Sequence, residues 1–117
     1  MVPRMRRKLP HLKLWLAASA MMIFAAPAWA DTPNGQTIFL HGNGNGAMPC
    51  AACHGQDGAG NSAIGAPKLA GLPAVAVKSY LAKFANGDGG NATMQYIAQA
   101  LAPAETDAVA NYISSLK

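Results

Sequence analysis

The stretch "MPCAACHGQDGAG", residues 48–60, decides how the chain is read. Cys50 and Cys53 stand three apart, and His54 follows at once. Three chemistries compete for that pattern. A structural zinc ion needs four ligands, usually Cys or His. Cys50, Cys53, His54 and His41 suffice in number, but the histidines lack finger spacing. A thiol–disulfide pair would want a strand before it and a β-α pattern around it, and no run of alternating residues provides either. The third chemistry is C-x-x-C-H, covalent attachment of a c-type haem. A haem has two vinyl groups on one edge, and each forms a thioether with a thiol. Cysteines three apart project from neighbouring positions of one helical turn. That turn carries His54 beneath the ring, where an imidazole nitrogen can reach iron. Ala51 and Ala52 are small enough to let the turn lie close. The pattern favours haem, with zinc and thiol chemistry as lesser alternatives.

The N-terminal thirty residues agree with that choice. "MVPRMRRKLPHLK" is basic, "LWLAASAMMIFAAPAWA" is apolar, and the run ends Ala28-Trp29-Ala30. This is the layout of a secretory signal peptide. Cleavage is expected after Ala30, leaving residues 31–117 as the mature domain in the periplasm. A retained membrane anchor is the alternative, but the apolar run is short for a span and Pro27 interrupts its end. The pI near 9.3 belongs to that leader. From Asp31 onward four lysines face five acidic residues, a net of −1, and there is no arginine. That removes any basic patch for nucleic acid. A domain this small buries only about two-thirds of its unfolded surface, so a large apolar cofactor would help it fold.

The mature chain reads as all-α. "TPNGQTIFLHG" gives a short helix over roughly 33–41, started by Thr32 and Pro33. "GNGNGA" is a plain loop, lacking the strand and helix that a dinucleotide loop needs. The glycine-rich segment 55–72 is a long loop, and such loops usually serve a function. Val77, Tyr80, Leu81 and Phe84 form one helical face. Met94, Ile97, Ala98 and Leu101 form a second, with Asn91 as cap. Val109, Tyr112, Ile113 and Leu116 form a third. Pro103 opens that last helix, Glu105 and Asp107 suit its positive end, and Ala102 is a weak cap.

A haem bound by one histidine leaves a sixth position. Of six methionines, four lie in the leader. Met48 is two residues before Cys50, poorly placed to reach the opposite face. Met94, forty residues beyond His54, is the expected second ligand, with His41 as rival and an open site as the remaining case. A methionine at helical spacing is also an ordinary core residue.

In their order, "CAACHGQDGAG", "APKLAG", "SYLAKFANG", "MQYIAQALA" and "AVANYISSL" resemble the class I cytochromes c, in their small bacterial single-haem form, and also one half of the two-haem periplasmic carriers. The resemblance spans about residues 35–116. It implies the cytochrome c fold, four to five short helices wrapped around a covalently attached haem. It implies that Gly35 and Phe39 pack against Tyr112. It implies that the Pro67 carbonyl orients His54, and that Leu69, Leu81, Ile97 and Ile113 line the haem or the core. The loop before the motif is longer than in the family, and Ala102 replaces a common hydroxyl residue.

The function expected is a periplasmic one-electron carrier. It is not an enzyme, and it is expected to be a monomer with no membrane span after cleavage. It docks transiently with redox partners of a respiratory or dehydrogenase chain. One haem edge is expected near the surface, ringed by Ala51, Ala52 and Ala66. The alternatives are a haem subunit of a larger dehydrogenase or oxidase, and an open-site sensor or peroxidase. Donor, acceptor and potential are not legible, nor is a role for residues 42–47.

Overall fold

The computed structural model describes residues 32–117. The expected leader and its cleavage point lie outside them. Five α-helices follow one another: α1 Gly35–His41, α2 Ala51–His54, α3 Ala74–Ala85, α4 Ala92–Gln99 and α5 Pro103–Ser115. A 3-10 turn, Ser62–Ile64, lies between α2 and α3. There is no strand among the described residues, only an isolated bridge between Asn61 and Ala66. No described helix is long and apolar enough to cross a membrane.

The caps explain where the helices start. α1 begins two residues later than the Thr32–Pro33 reading. Asn34 is its cap, and its side chain accepts from the Thr37 N–H at 3.0 Å. Both residue types cap well; the one whose oxygen meets the third amide wins. Pro73 is the residue before α3. Asn91 caps α4 as expected, accepting from the Met94 N–H at 2.9 Å. α5 begins at Pro103 behind Ala102, which has no capping side chain. The Glu105 carboxylate replaces the missing cap, accepting from the Ala102 N–H at 2.9 Å.

α1 packs on α5, and α3 packs on both α4 and α5. The α1–α5 contact has a steric condition. A Cβ on Gly35 would stand 2.0 Å from the Ala108 carbonyl oxygen. Only a glycine admits this approach, which brings the Phe39 and Tyr112 rings to 5.3 Å between centroids at 55°. Phe39 is fully buried and Val109 nearly so. Ile38, Val77, Ile97, Leu101, Ala110 and Ile113 complete the centre of the core. The apolar faces read from periodicity thus point inward, with one exception. Tyr80 keeps about half its surface exposed.

Candidate functional site

The attachment motif forms the expected single turn. α2 runs from Ala51 to His54, and the Cys50 carbonyl accepts from the N–H groups of Cys53 and His54. The chain leaves that turn through Gly55 into a loop that closes on itself. The Gly58 carbonyl accepts from Leu69 and Ala70 at 2.8 and 3.0 Å. Asn61 and Ala66 exchange a pair of backbone bonds at 2.8 and 3.0 Å, and the Gly60 N–H donates to the His54 carbonyl at 2.8 Å. Gly60 sits at φ +85°, and a Cβ there would meet Lys68 N at 2.7 Å. These bonds bring residue 67 back over residue 54. His54 is buried, and its Nδ1 lies 2.8 Å from the Pro67 carbonyl oxygen. The carbonyl can only accept, so Nδ1 carries the proton and Nε2 keeps its lone pair. Among the described residues no buried side-chain nitrogen or oxygen lacks a partner.

His54 lines a cavity of about 840 Å³. Cys50, Cys53, Pro67 and Met94 line the same cavity. The remaining wall is mainly apolar, with Leu69, Leu81, Ile97, Leu101 and Ile113 among its side chains. Met94 is half-buried against the core and stands in the first turn of α4, fixed there by the Asn91 cap. Tyr80 also lines the cavity, which accounts for its place on the inward face of α3 despite its exposure. Met48 lines it too and is about half exposed.

His41 does not reach this cavity. It lines a separate pocket of about 320 Å³ with Leu40, Pro49, Ala51, Ala52 and Gln56. The rival ligand is therefore not among the side chains that line the space His54 faces. Ala66 lines the large cavity, whereas Ala51 and Ala52 line the smaller one.

The lesser chemistries fare poorly. Among the described residues no group of three or more His, Cys, Asp or Glu side chains could hold a metal ion. Both cysteines are free, and burial pushes the Cys50 thiol up to about 11, against a lowering contribution from a backbone hydrogen bond. Redox-active cysteines are lowered instead. The donors that do line the cavity fit a haem. Two thiols sit three residues apart on one turn, an imidazole has a fixed proton, and a thioether shares an apolar space of large-cofactor size.

The sequence model of the family described as Cytochrome c matches residues 33–117. The chain belongs to the cytochrome c family. This cytochrome is 39% identical over 115 residues to the thiosulfate dehydrogenase electron acceptor of Thiomonas intermedia (strain K12), covering 97% of this chain and 48% of that one. The chain thus spans about half the length of the curated relatives it matches. Reduced recombinant cytochrome c4 from Pseudomonas stutzeri superimposes with a TM-score of 0.66 at 31% identity, over 71% of this chain and 46% of that one. The thiosulfate dehydrogenase TsdBA from Marichromatium purpuratum superimposes with a TM-score of 0.67 at 33% identity, over 71% of this chain and 18% of that one. The fold is that of a cytochrome c, as the motif order implied. A member of this family carries covalently attached haem c, and Cys50 and Cys53 have the spacing for it.

One residue with a structural part in this site was not legible as such. Asn43, read as plain loop, ties the segment before Cys50 to the end of α4 and the start of α5. The signal for it was the weak cap at Ala102, which left the start of α5 in need of a polar partner.

Proposed function

We infer that Cys50 and Cys53 would hold the haem through thioethers and that His54 and Met94 would ligate its iron. Pro67 accepts from the His54 ring and fixes its orientation. The observation that carries this reading is the single cavity. It has both thiols, the proton-fixed imidazole and a thioether on its wall, while His41 lies outside it. When bound, the iron supplies a one-electron couple. The chain's residues exclude water with an apolar wall. Pro67 makes the imidazole a firmer donor, and Met94 favours the reduced iron, which raises the potential.

The leader sends the chain to the periplasm and is cut after Ala30. There the mature domain, a monomer, takes electrons one at a time from a thiosulfate-oxidising dehydrogenase and passes them to a respiratory acceptor. The relatives named for that role support the donor. A weak charge favours a small, short-lived contact. A second reading, a haem subunit held permanently in a larger enzyme, draws support from the likeness to part of TsdBA.

Stopped-flow mixing of the oxidised protein with a thiosulfate dehydrogenase and thiosulfate tests the donor. Reduction within turnover time is expected, with none when thiosulfate is omitted. Failure to be reduced, while an artificial acceptor is, would remove this donor. Elution of the native protein with a dehydrogenase rather than alone would favour the subunit reading.

A further inference from the structure

Asn43 makes the side-chain hydrogen bonds that link the two halves of the chain. Its Oδ1 accepts from the N–H groups of Asn45 and Ala47 at 2.9 and 3.0 Å. Its Nδ2 donates to the Ala100 carbonyl at 2.7 Å and to Glu105 Oε1 at 3.2 Å. Every hydrogen-bonding position of the amide is thereby used. The two bonds from Nδ2 span 57 and 62 residues. The next longest side-chain hydrogen bonds among the described residues span only 14 and 13. Ala47 is buried and lies three residues before Cys50. Ala100 ends α4, six residues after Met94, and the next residue, Leu101, lines the cavity. One amide therefore spans from the segment entering the attachment turn to the end of the helix that bears Met94.

We propose that Asn43 is a positioning residue for the iron–methionine bond, holding α4 at the distance from the attachment turn at which Met94 meets the iron. The proposal rests on the reading of Met94 as ligand. Among the described residues no backbone bond joins the segment before Cys50 to α4, so their separation is set by apolar packing plus this amide. Apolar packing is non-directional; the amide is directional and supplies the register. Glu105 has two tasks, accepting from Asn43 and from Ala102. The missing hydroxyl at position 102 and the asparagine in the loop are then one device.

The test uses the purified holoprotein at neutral pH and reads imidazole binding to the ferric form. Exogenous imidazole displaces a methionine ligand, so its affinity reports how readily the iron–sulfur bond opens. Asn43→Asp keeps the acceptor toward Asn45 and Ala47 but sets a carboxylate against the Ala100 carbonyl and Glu105. Loss of two donors predicts imidazole binding about tenfold tighter than in the native protein. Asn45→Asp adds the same charge at an exposed neighbour and is expected to bind imidazole as the native protein does. Asn43→Asp combined with Glu105→Gln restores one donor across the junction and is expected to recover part of the difference. Should Asn43→Asp give no holoprotein, Glu105→Ala is expected to tighten imidazole binding about threefold. Imidazole affinity in Asn43→Asp or Glu105→Ala within twofold of native, or an equal change in Asn45→Asp, overturns the proposal. A native protein that lacks the far-red methionine–iron band overturns the ligation instead, and this proposal with it.

Discussion

Replacing Gly35 by alanine sets two effects of opposite sign against each other. Alanine is the better helix former, by up to about 1 kcal/mol. Sterics act the other way. The new Cβ would stand 2.0 Å from the Ala108 oxygen, 2.6 Å from its carbon and 3.0 Å from the Tyr112 Cβ. The obstacle is a helix backbone, which cannot rotate aside as a side chain can. Relief to ordinary contact at 3.4 Å needs α1 and α5 to part by about 1.4 Å. A gap of ~0.5–1 Å already forfeits a quarter to a half of the dispersion well for the atoms that face it. Those atoms belong to Ile38, Phe39 and Tyr112, and Phe39 is wholly buried. Overpacking of this kind costs about 1–3 kcal/mol, and here it falls at the upper end. Net destabilisation of about 2 kcal/mol lowers Tm by roughly 10–15 °C for a domain of this size. Thermal unfolding of the ferric holoprotein, followed by far-UV circular dichroism, reads this directly. A Tm unchanged within about 2 °C, or raised, would mean that the close approach of α1 to α5 is not what makes position 35 a glycine.

Gly60→Ala forces a left-handed backbone position onto a residue with a side chain and pushes on the Lys68 amide and the Pro67 carbonyl carbon. The His54–Pro67 hydrogen bond should weaken, the imidazole should donate less to iron, and the reduction potential should rise; a redox titration that shows a fall contradicts this. Asn91→Ala removes the cap of α4 and is expected to cost about 1 kcal/mol, a Tm drop of roughly 5 °C. Calorimetry of the holoprotein checks it, and no change would mean that the first turn of α4 is held by packing alone.

Periodicity made α3, α4 and α5 legible, because three-four spacing of Val77, Met94, Val109 and their partners is the direct imprint of a buried face. Tyr80 shows the limit of that signal, since a face turned toward a cavity has the same spacing as one turned toward a core. The attachment turn was legible from three residues. The Pro67–His54 contact came from the family resemblance, and the structure has it at 2.8 Å. What stayed illegible depended on backbone bonds that leave no side-chain pattern. The loop from Gly55 to Leu72 is stitched through the carbonyls of His54, Gly58, Asn61 and Ala66, and no periodic pattern announces such bonds. The start of α1 was read at Thr32 and Pro33, whereas Asn34, a stronger cap by type, is the one that starts it. Asn43 was hidden because its partners lie far along the chain.

The central claim, that Met94 and His54 meet iron from opposite faces of a tethered porphyrin, is tested most directly by the far-red absorption of the oxidised native protein beside Met94→Ala. A methionine–iron charge-transfer band in the native spectrum that disappears in the variant, with the haem still covalently attached, is the predicted result. A band that persists in Met94→Ala, or pigment that extracts freely from the native protein into acidified acetone, would contradict it.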